Sequence, residues 1–199
     1  VVEEVRTARR FLSAAGLKGH IEAIEFHELN EHTKPQEVEA FSALFEGGRS
    51  VGLMSEAGLP AVADPGAQLV ALCHRKGIEV VPLVGPSSLM MALMSSGLNG
   101  QSFAFTGYIP AKADERRAAL RAIEKRSAAA HQTQILIETP YRNDALFADM
   151  LSVLSPTTRL CVAANITCED QFIRTRTIAE WRKQNLIVGK RPCVFVILS

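Results

Sequence analysis

Several short clusters hold the side chains whose types and spacing could do chemistry. The first is Ser55-Glu56-Ala57-Gly58-Leu59-Pro60-Ala61-Val62-Ala63-Asp64-Pro65-Gly66, which follows an apolar run at 51–54 and precedes a helical pattern. Glycine lets a backbone approach a ligand closely, and proline holds a loop in shape. The second is Gly85-Pro86-Ser87-Ser88, which follows a strand-like stretch at 79–84 and opens an apolar helix at 89–94. Two such loops after consecutive strands belong side by side at the carboxyl edge of a parallel sheet, where open α/β sheets bind ligands. Neither loop is a Walker A or a G-x-G-x-x-G motif, so phosphate groups are not the main handle. Small residues with free backbone N–H and C=O groups suit an adenosine-like or amino-acid-like ligand, or simply join strand to helix. Ser87 is placed to cap the helix behind it, or to face a ribose or carboxylate from the helix N-terminus. Glu138, at the end of a strand, is the first candidate for a general base, or else a structural partner of the turn Pro140-Tyr141-Arg142. Glu31 and His27, in a polar loop, are further candidates for the same role, the other reading being a solvated loop.

The elements that must position these groups follow from periodicity. The first half alternates strand-like and helical segments: a strand tail at 1–5, a helix at 7–15, a strand at 21–26, a helix opened by Pro35 and ended by Gly47-Gly48, then the two strand–loop–helix units. That order predicts a mostly parallel sheet with flanking helices. The second half opens at 103–106 with a strand and continues with a charged helix at Ala113–Ala130, a strand at Thr133–Ile137, a helix at 143–154, strands at Arg159–Ala164 and 171–175 joined by a polar turn, a short helix at 177–184, and a closing strand at Cys193–Leu198. Neighbouring strands without a helix between them predict a mixed sheet there. The reading is an α/β chain of two domains, 1–102 and 103–199.

Composition narrows the function classes. The chain has 199 residues and a net charge of +1, which excludes a histone-like binder driven by overall charge but allows a local basic patch. Arg117, Arg121 and Lys125 fall at i, i+4 and i+8 on one helix, with Lys112, Arg116 and Arg126 nearby and Glu115 and Glu124 diluting them. This 112–126 stretch is either a solvated face or a surface that tracks RNA phosphates. The five histidines and four cysteines show no metal-ligand spacing, so no metal is expected and the cysteines read as reduced thiols. No apolar run approaches the roughly 20 residues that span a bilayer, and no signal peptide is expected, so a cytoplasmic location is the expectation. The chain starts Val-Val-Glu-Glu, without Met and as if at the end of a strand, so further residues are expected upstream.

Read in order, Glu3-Glu4-Val5-Arg6-Thr7-Ala8-Arg9, Asn30-Glu31, Ser55-Glu56-Ala57-Gly58 with Pro60 and Asp64-Pro65-Gly66, Gly85-Pro86-Ser87 and Gly107-Tyr108-Ile109-Pro110-Ala111-Lys112 resemble the tetrapyrrole-methylase superfamily, the class III S-adenosylmethionine (SAM) methyltransferases. Within it, the likeness is to the group that 2′-O-methylates a ribose of small-subunit ribosomal RNA. The resemblance implies a two-domain fold with SAM in a cleft, lined by Ser55, Ala57, Gly58, Leu59, Pro60 and Val62, by Ser87 and Ser88, and by Ile137 with Glu138 from the second domain. It also implies a homodimer. Departures are Val84 in place of the proline usual before Gly85-Pro86, and Ala164-Asn165-Ile166-Thr167-Cys168 where the RNA-modifying members carry Arg-Glu-Leu-Thr-Lys. The same fold also serves methylases of tetrapyrroles, other small molecules and proteins, and a non-catalytic SAM-binding module is a further reading.

Overall fold

Glu4 starts the first helix of the computed structural model, which describes Val1–Ser199. Its carboxylate accepts hydrogen bonds from the backbone N–H groups of Arg6 and Thr7, both at 2.7 Å, and so satisfies the open N-terminus of α1 (Val5–Leu12). The helix widens into a π turn, Ser13–Leu17, which Gly16 breaks with φ +100°. Pro35 opens α2 (Pro35–Ala40), where a fixed φ suits the first turn, and a 3-10 stretch, Phe41–Gly48, follows. α3 (Ala67–Arg75) turns Leu69, Leu72 and Cys73 inward at helical spacing. Leu69 and Leu72 pack with Val1, Leu29 and Val38, and with Phe41, Leu44, Phe45, Val51 and Leu53 around them. These elements make one compact unit, Val1–Pro86.

The chain is mixed α/β, but the strand ladder sits entirely in the second unit. The parallel sheet expected for the first half reduces to two single bridges, Val2 with Glu28 and Val2 with Met54. Residues 21–26 begin instead as a 3-10 turn, Ile21–Ala23, and 79–84 pair with nothing. The causes are local. Val2 lies between its two partners, yet Glu4 already caps a helix, so the middle segment supports one register position on each side. In 79–84, Pro82 has no N–H to give a ladder, and Val81, Leu83 and Val84 stay exposed.

The second unit, Ser87–Ser199, is three-layered. Its elements are α4 (Ser88–Ser96), β1 (Phe103–Gly107), α5 (Ala113–Ala130), β2 (Thr133–Ile137), α6 (Asn143–Val153), β3 (Arg159–Ala164), β4 (Phe172–Thr177), α7 (Ile178–Trp181) and β5 (Cys193–Leu198). The strand order is β1-β2-β5-β3-β4. β1 runs parallel to β2, and the other pairings are antiparallel, so the sheet is mixed as its connections predict. β5 is an unbroken apolar run and is buried along its whole length at the sheet's centre. Leu89, Ala92 and Leu93 of α4 cover one face. Leu120 and Ile123 of α5, Leu146, Phe147 and Met150 of α6, and Ile178 and Trp181 of α7 cover the other. Each fully buried side chain of this size contributes about 1.5–3 kcal/mol. Trp181 donates from its indole N–H to Leu160 O at 2.8 Å and meets Phe147 edge-on at 5.6 Å, which makes it a core residue. Cys73, Cys161 and Cys193 are free buried thiols, and burial pushes Cys193 up to about 12. No helix is long and apolar enough to cross a membrane.

Candidate functional site

The two Gly/Pro loops of the first unit lie side by side. Gly66 adopts φ +136°, and a Cβ there would stand 3.0 Å from Leu53 Cδ2 and 3.1 Å from Ala61 N. The loop therefore folds back on itself, with Ala61 N donating to Pro65 O and Val62 N to Leu59 O, both at 3.2 Å. Gly85 brings the second loop against the first, because a Cβ there would sit 3.2 Å from Leu59 Cδ2. Between them runs a groove of about 530 Å³. Ser55, Ala57, Gly58, Leu59 and Pro60 line it, joined by Leu83, Val84, Gly85 and Pro86 and by Glu3, Glu4, Thr7 and Phe11.

Its electrostatics favour a cationic guest. Glu3 Oε2 accepts a hydrogen bond from Glu56 N at 3.2 Å, while Glu4 is committed to the cap of α1. Burial, and next the negative charge of Glu3, push the Asp64 carboxyl above its ordinary range. Ser55 approaches closely enough to draw Asp64 partway back. Its Oγ is nevertheless buried without a completed hydrogen bond. A buried, unpartnered hydroxyl on the wall of a groove is a ready polar contact for a ligand.

Glu138 follows β2 in the second unit and is 5% exposed. Its Oε1 accepts from Thr139 N at 2.7 Å and from Arg142 Nε and Nη2 at 2.9 and 2.5 Å. Its Oε2 is buried and unpartnered. One oxygen thus does the structural work on the 3-10 turn Pro140–Arg142, and the other is left without a partner. The ion pair with Arg142 fixes which oxygen is which.

The remaining candidates scatter. Val62 is exposed and lies outside the groove lining. Glu31 sits on an exposed turn beside His32, and His27 is paired with Glu25 at 2.9 Å. Ser87 and Ser88 belong to the second unit, where the Ser87 hydroxyl accepts from Met90 N at 3.5 Å as the cap of α4. Ile137 packs on the α4 face of the sheet. Glu3, Phe11 and Leu83, absent from the sequence candidates, enter the groove because the fold brings α1 and residues 83–86 to it.

Part of the basic stripe on α5 is spent on acids. Arg117 Nε donates to Asp149 Oδ1 at 2.7 Å, and Arg116, buried, donates from Nε to Asp149 Oδ2 at 2.7 Å and from Nη1 to Ala111 O at 2.6 Å. Burial alone would raise Asp149, but the hydrogen bonds from Arg117 and Arg116 and then their charges hold it below the usual carboxylate range. Lys112 pairs with Glu115. Arg121, Lys125 and Arg126 remain unpaired, and the last two edge a second groove of about 670 Å³ between α5 and Tyr108-Ile109-Pro110.

Comparison with known proteins supplies the next finding. The family profile "Tetrapyrrole (Corrin/Porphyrin) Methylases" matches residues 3–181. A "Ribosomal RNA small subunit methyltransferase I" of Neisseria meningitidis serogroup B is 35% identical over 178 residues, 89% of this chain and 58% of that protein. The protein of the same name in Pseudomonas aeruginosa is 33% identical over 198 residues, 98% of this chain and 67% of that protein. The chain spans little more than half the length of several such relatives, 51% of the one in Vibrio cholerae. Among solved structures, that of the methyltransferase CobJ matches with a TM-score of 0.57 at 13% identity, covering 92% of this chain and 80% of that one, which is a likeness of fold.

Proposed function

The chain belongs to the tetrapyrrole (corrin/porphyrin) methylase family, and on that premise we propose that it is a SAM-dependent methyltransferase whose acceptor is a ribose 2′-hydroxyl of small-subunit ribosomal RNA. One observation carries the reading: the Pseudomonas relative, named for that RNA, aligns with 98% of this chain. The groove of the first unit fits the cofactor. Its volume lies in the range of small-molecule sites, and Leu59, Pro60 and Leu83 offer apolar surface to an adenine ring. Ser55 Oγ offers an unspent hydroxyl. Glu3 offers negative charge to a ligand that carries a sulfonium and an ammonium group. When bound, SAM supplies a methyl group on an already activated sulfur.

What this chain must add is alignment and a place for a proton. Orientation alone is worth several orders of magnitude in rate. Glu138 Oε2 would accept the proton that the ribose hydroxyl loses as its oxygen takes the methyl group. Arg142 holds the carboxylate in place by its other oxygen. Arg121, Lys125 and Arg126 on α5 would meet RNA phosphates. On this reading the protein works in the cytoplasm, and a homodimer is what the family resemblance implies.

Two measurements test it. SAM at about 100 times its dissociation constant should stabilise the native protein by about 2.7 kcal/mol, seen as a rise in Tm. Tritiated methyl from SAM should then enter small-subunit rRNA taken from cells that lack the modification, and should be recovered in alkali-resistant dinucleotides, because a 2′-O-methyl group blocks cleavage at that ribose. No rise in Tm would remove the cofactor assignment, and label recovered only in alkali-labile nucleotides would remove the ribose.

A further inference from the structure

The edge strand β4 carries a cationic and aromatic row that the sequence pattern did not single out. Phe172, Arg174 and Arg176 alternate along it, so they share one face, the face on which Phe172 packs against Trp181. The Arg174 guanidinium stands 5.5 Å from the Phe172 ring centre, and that of Arg191 5.8 Å from the same ring. Arg176 lies 5.9 Å from the Trp181 ring, and its Nε is buried with no partner. The next residue along, Lys190, places its Nζ 5.0 Å from the ring of Tyr141, which is 80% exposed. Tyr141 immediately precedes Arg142, the residue that pins Glu138. The row therefore runs from the outer edge of the sheet to the carboxylate.

Arg174, Arg176, Lys190 and Arg191 take part in no ion pair, although Arg191 donates to Val188 O and Ile187 O, whereas Arg116 and Arg117 of α5 and Lys112 just before it all do. The nearby acids Glu180 and Asp144 are partly engaged by backbone and hydroxyl donors, and Glu180 also feels the Arg176 charge. Glu180 accepts from Thr177 N and Thr177 Oγ1 at 2.8 Å each, and Asp144 accepts from Val188 N and Gly189 N at 2.8 and 3.1 Å. The loop that bears Lys190 is held still, since the buried Asn143 donates to Gly189 O at 3.0 Å and to Arg191 O at 2.7 Å. A line of cations interleaved with aromatic rings suits a single strand of nucleic acid, with phosphates on the cations and bases stacked on rings. A duplex would offer no unstacked base to Tyr141.

We propose that Arg174, Phe172, Arg176, Arg191, Lys190 and Tyr141 form a track that binds single-stranded RNA and leads it to Glu138. This inference rests on the RNA reading above and adds to it where the strand lies. The experiment is fluorescence anisotropy of the full chain with a fluorescein-labelled single-stranded RNA of about 12 nucleotides, within the range of known site sizes, titrated at several salt concentrations. Removing one phosphate-binding cation should flatten the plot of log K against log salt by about 0.7, so R174A/K190A should flatten it by about 1.4. Y141A should weaken binding about tenfold at every salt with the slope unchanged, and Y141F, which keeps the ring, should restore it. R10A/K18A removes two exposed, unpaired charges of the first unit and should leave the slope as it is. Wild-type slope and affinity in R174A/K190A, with loss in R121A/K125A, would overturn the track and leave the RNA reading standing. Equal effects in R174A/K190A and R10A/K18A would reduce the track to net charge and overturn it. A wild-type chain that binds no RNA at the lowest salt would overturn both.

Discussion

Replacing Asp149 by Ala separates a buried ion pair from a surface charge on the same helix. Arg116 and Asp149 have side chains only 8% and 7% exposed, and Asp149 supplies both bonds to the Arg116 fork, from Nε at 2.7 Å and Nη2 at 2.6 Å. Without Asp149 the guanidinium keeps Ala111 O alone. Leaving a buried charge unpaired costs about 3–5 kcal/mol. For a domain of this size about 2–4 °C of Tm is lost per kcal/mol, so D149A should melt on the order of 10 °C below wild type. R117A is the control. Arg117 is 44% exposed and gives Asp149 one hydrogen bond, while Arg116 stays satisfied on the other oxygen. Solvent screens that exposed bond, so its loss costs less than leaving Arg116 unpaired. Melting followed by circular dichroism should therefore show D149A falling further than R117A. In the RNA titration R117A should leave the salt slope unchanged, because its guanidinium is already held, whereas R121A should flatten it by about 0.7. Equal melting shifts for D149A and R117A, or a D149A shift below about 2 °C, would refute the assignment of Asp149 as the group that satisfies Arg116.

Two further outcomes follow from the carboxylates. The Asp64 carboxyl is raised by burial and by Glu3, so its charge opposes folding. That opposition is absent below its ordinary value of 3.8 and grows as pH rises through the folded value. D64N should accordingly melt above wild type at neutral pH and converge with it in acid; a D64N protein that melts lower at pH 7 would contradict the burial of that charge. E138Q keeps the size of the side chain but gives up the charge that Arg142 meets. It should lose a few degrees of Tm and about a hundredfold or more in methyl transfer, and activity within about tenfold of wild type would place the base elsewhere.

What could be read from the sequence depended on whether an element carries its own reason to form. β5 is buried on both faces, so its unbroken apolar run is sufficient evidence, and the bounds Cys193–Leu198 follow directly. α5 is equally self-contained, with Arg116, Leu120, Ile123 and Ser127 inward at i, i+4, i+7 and i+11. The segments at 21–26, 51–54 and 79–84 were different. Alternation and apolarity state that a segment can be a strand, but a ladder also needs a neighbour long enough to pair with, and Val2 offers one residue to each side. The loops survived that failure, because Gly66 and Gly85 hold them together through contacts of their own with Leu53 and Leu59. Charge was the least legible property. The spacing of Arg117, Arg121 and Lys125 fixed a face of α5 but said nothing of Asp149 on α6, which takes Arg117 out of play. The row on β4 was hidden for the converse reason: Arg174 and Arg176 are two residues apart, but Arg191 and Lys190 reach them only through the β3–β4 and β3–β5 pairings that fold the chain's end beside its middle. A basic surface is therefore defined by which cations the fold leaves without ion pairs, and in the second unit these are Arg121, Lys125 and Arg126 on the helix the sequence suggested and Arg174, Arg176, Lys190 and Arg191 at the sheet edge nearest Trp181.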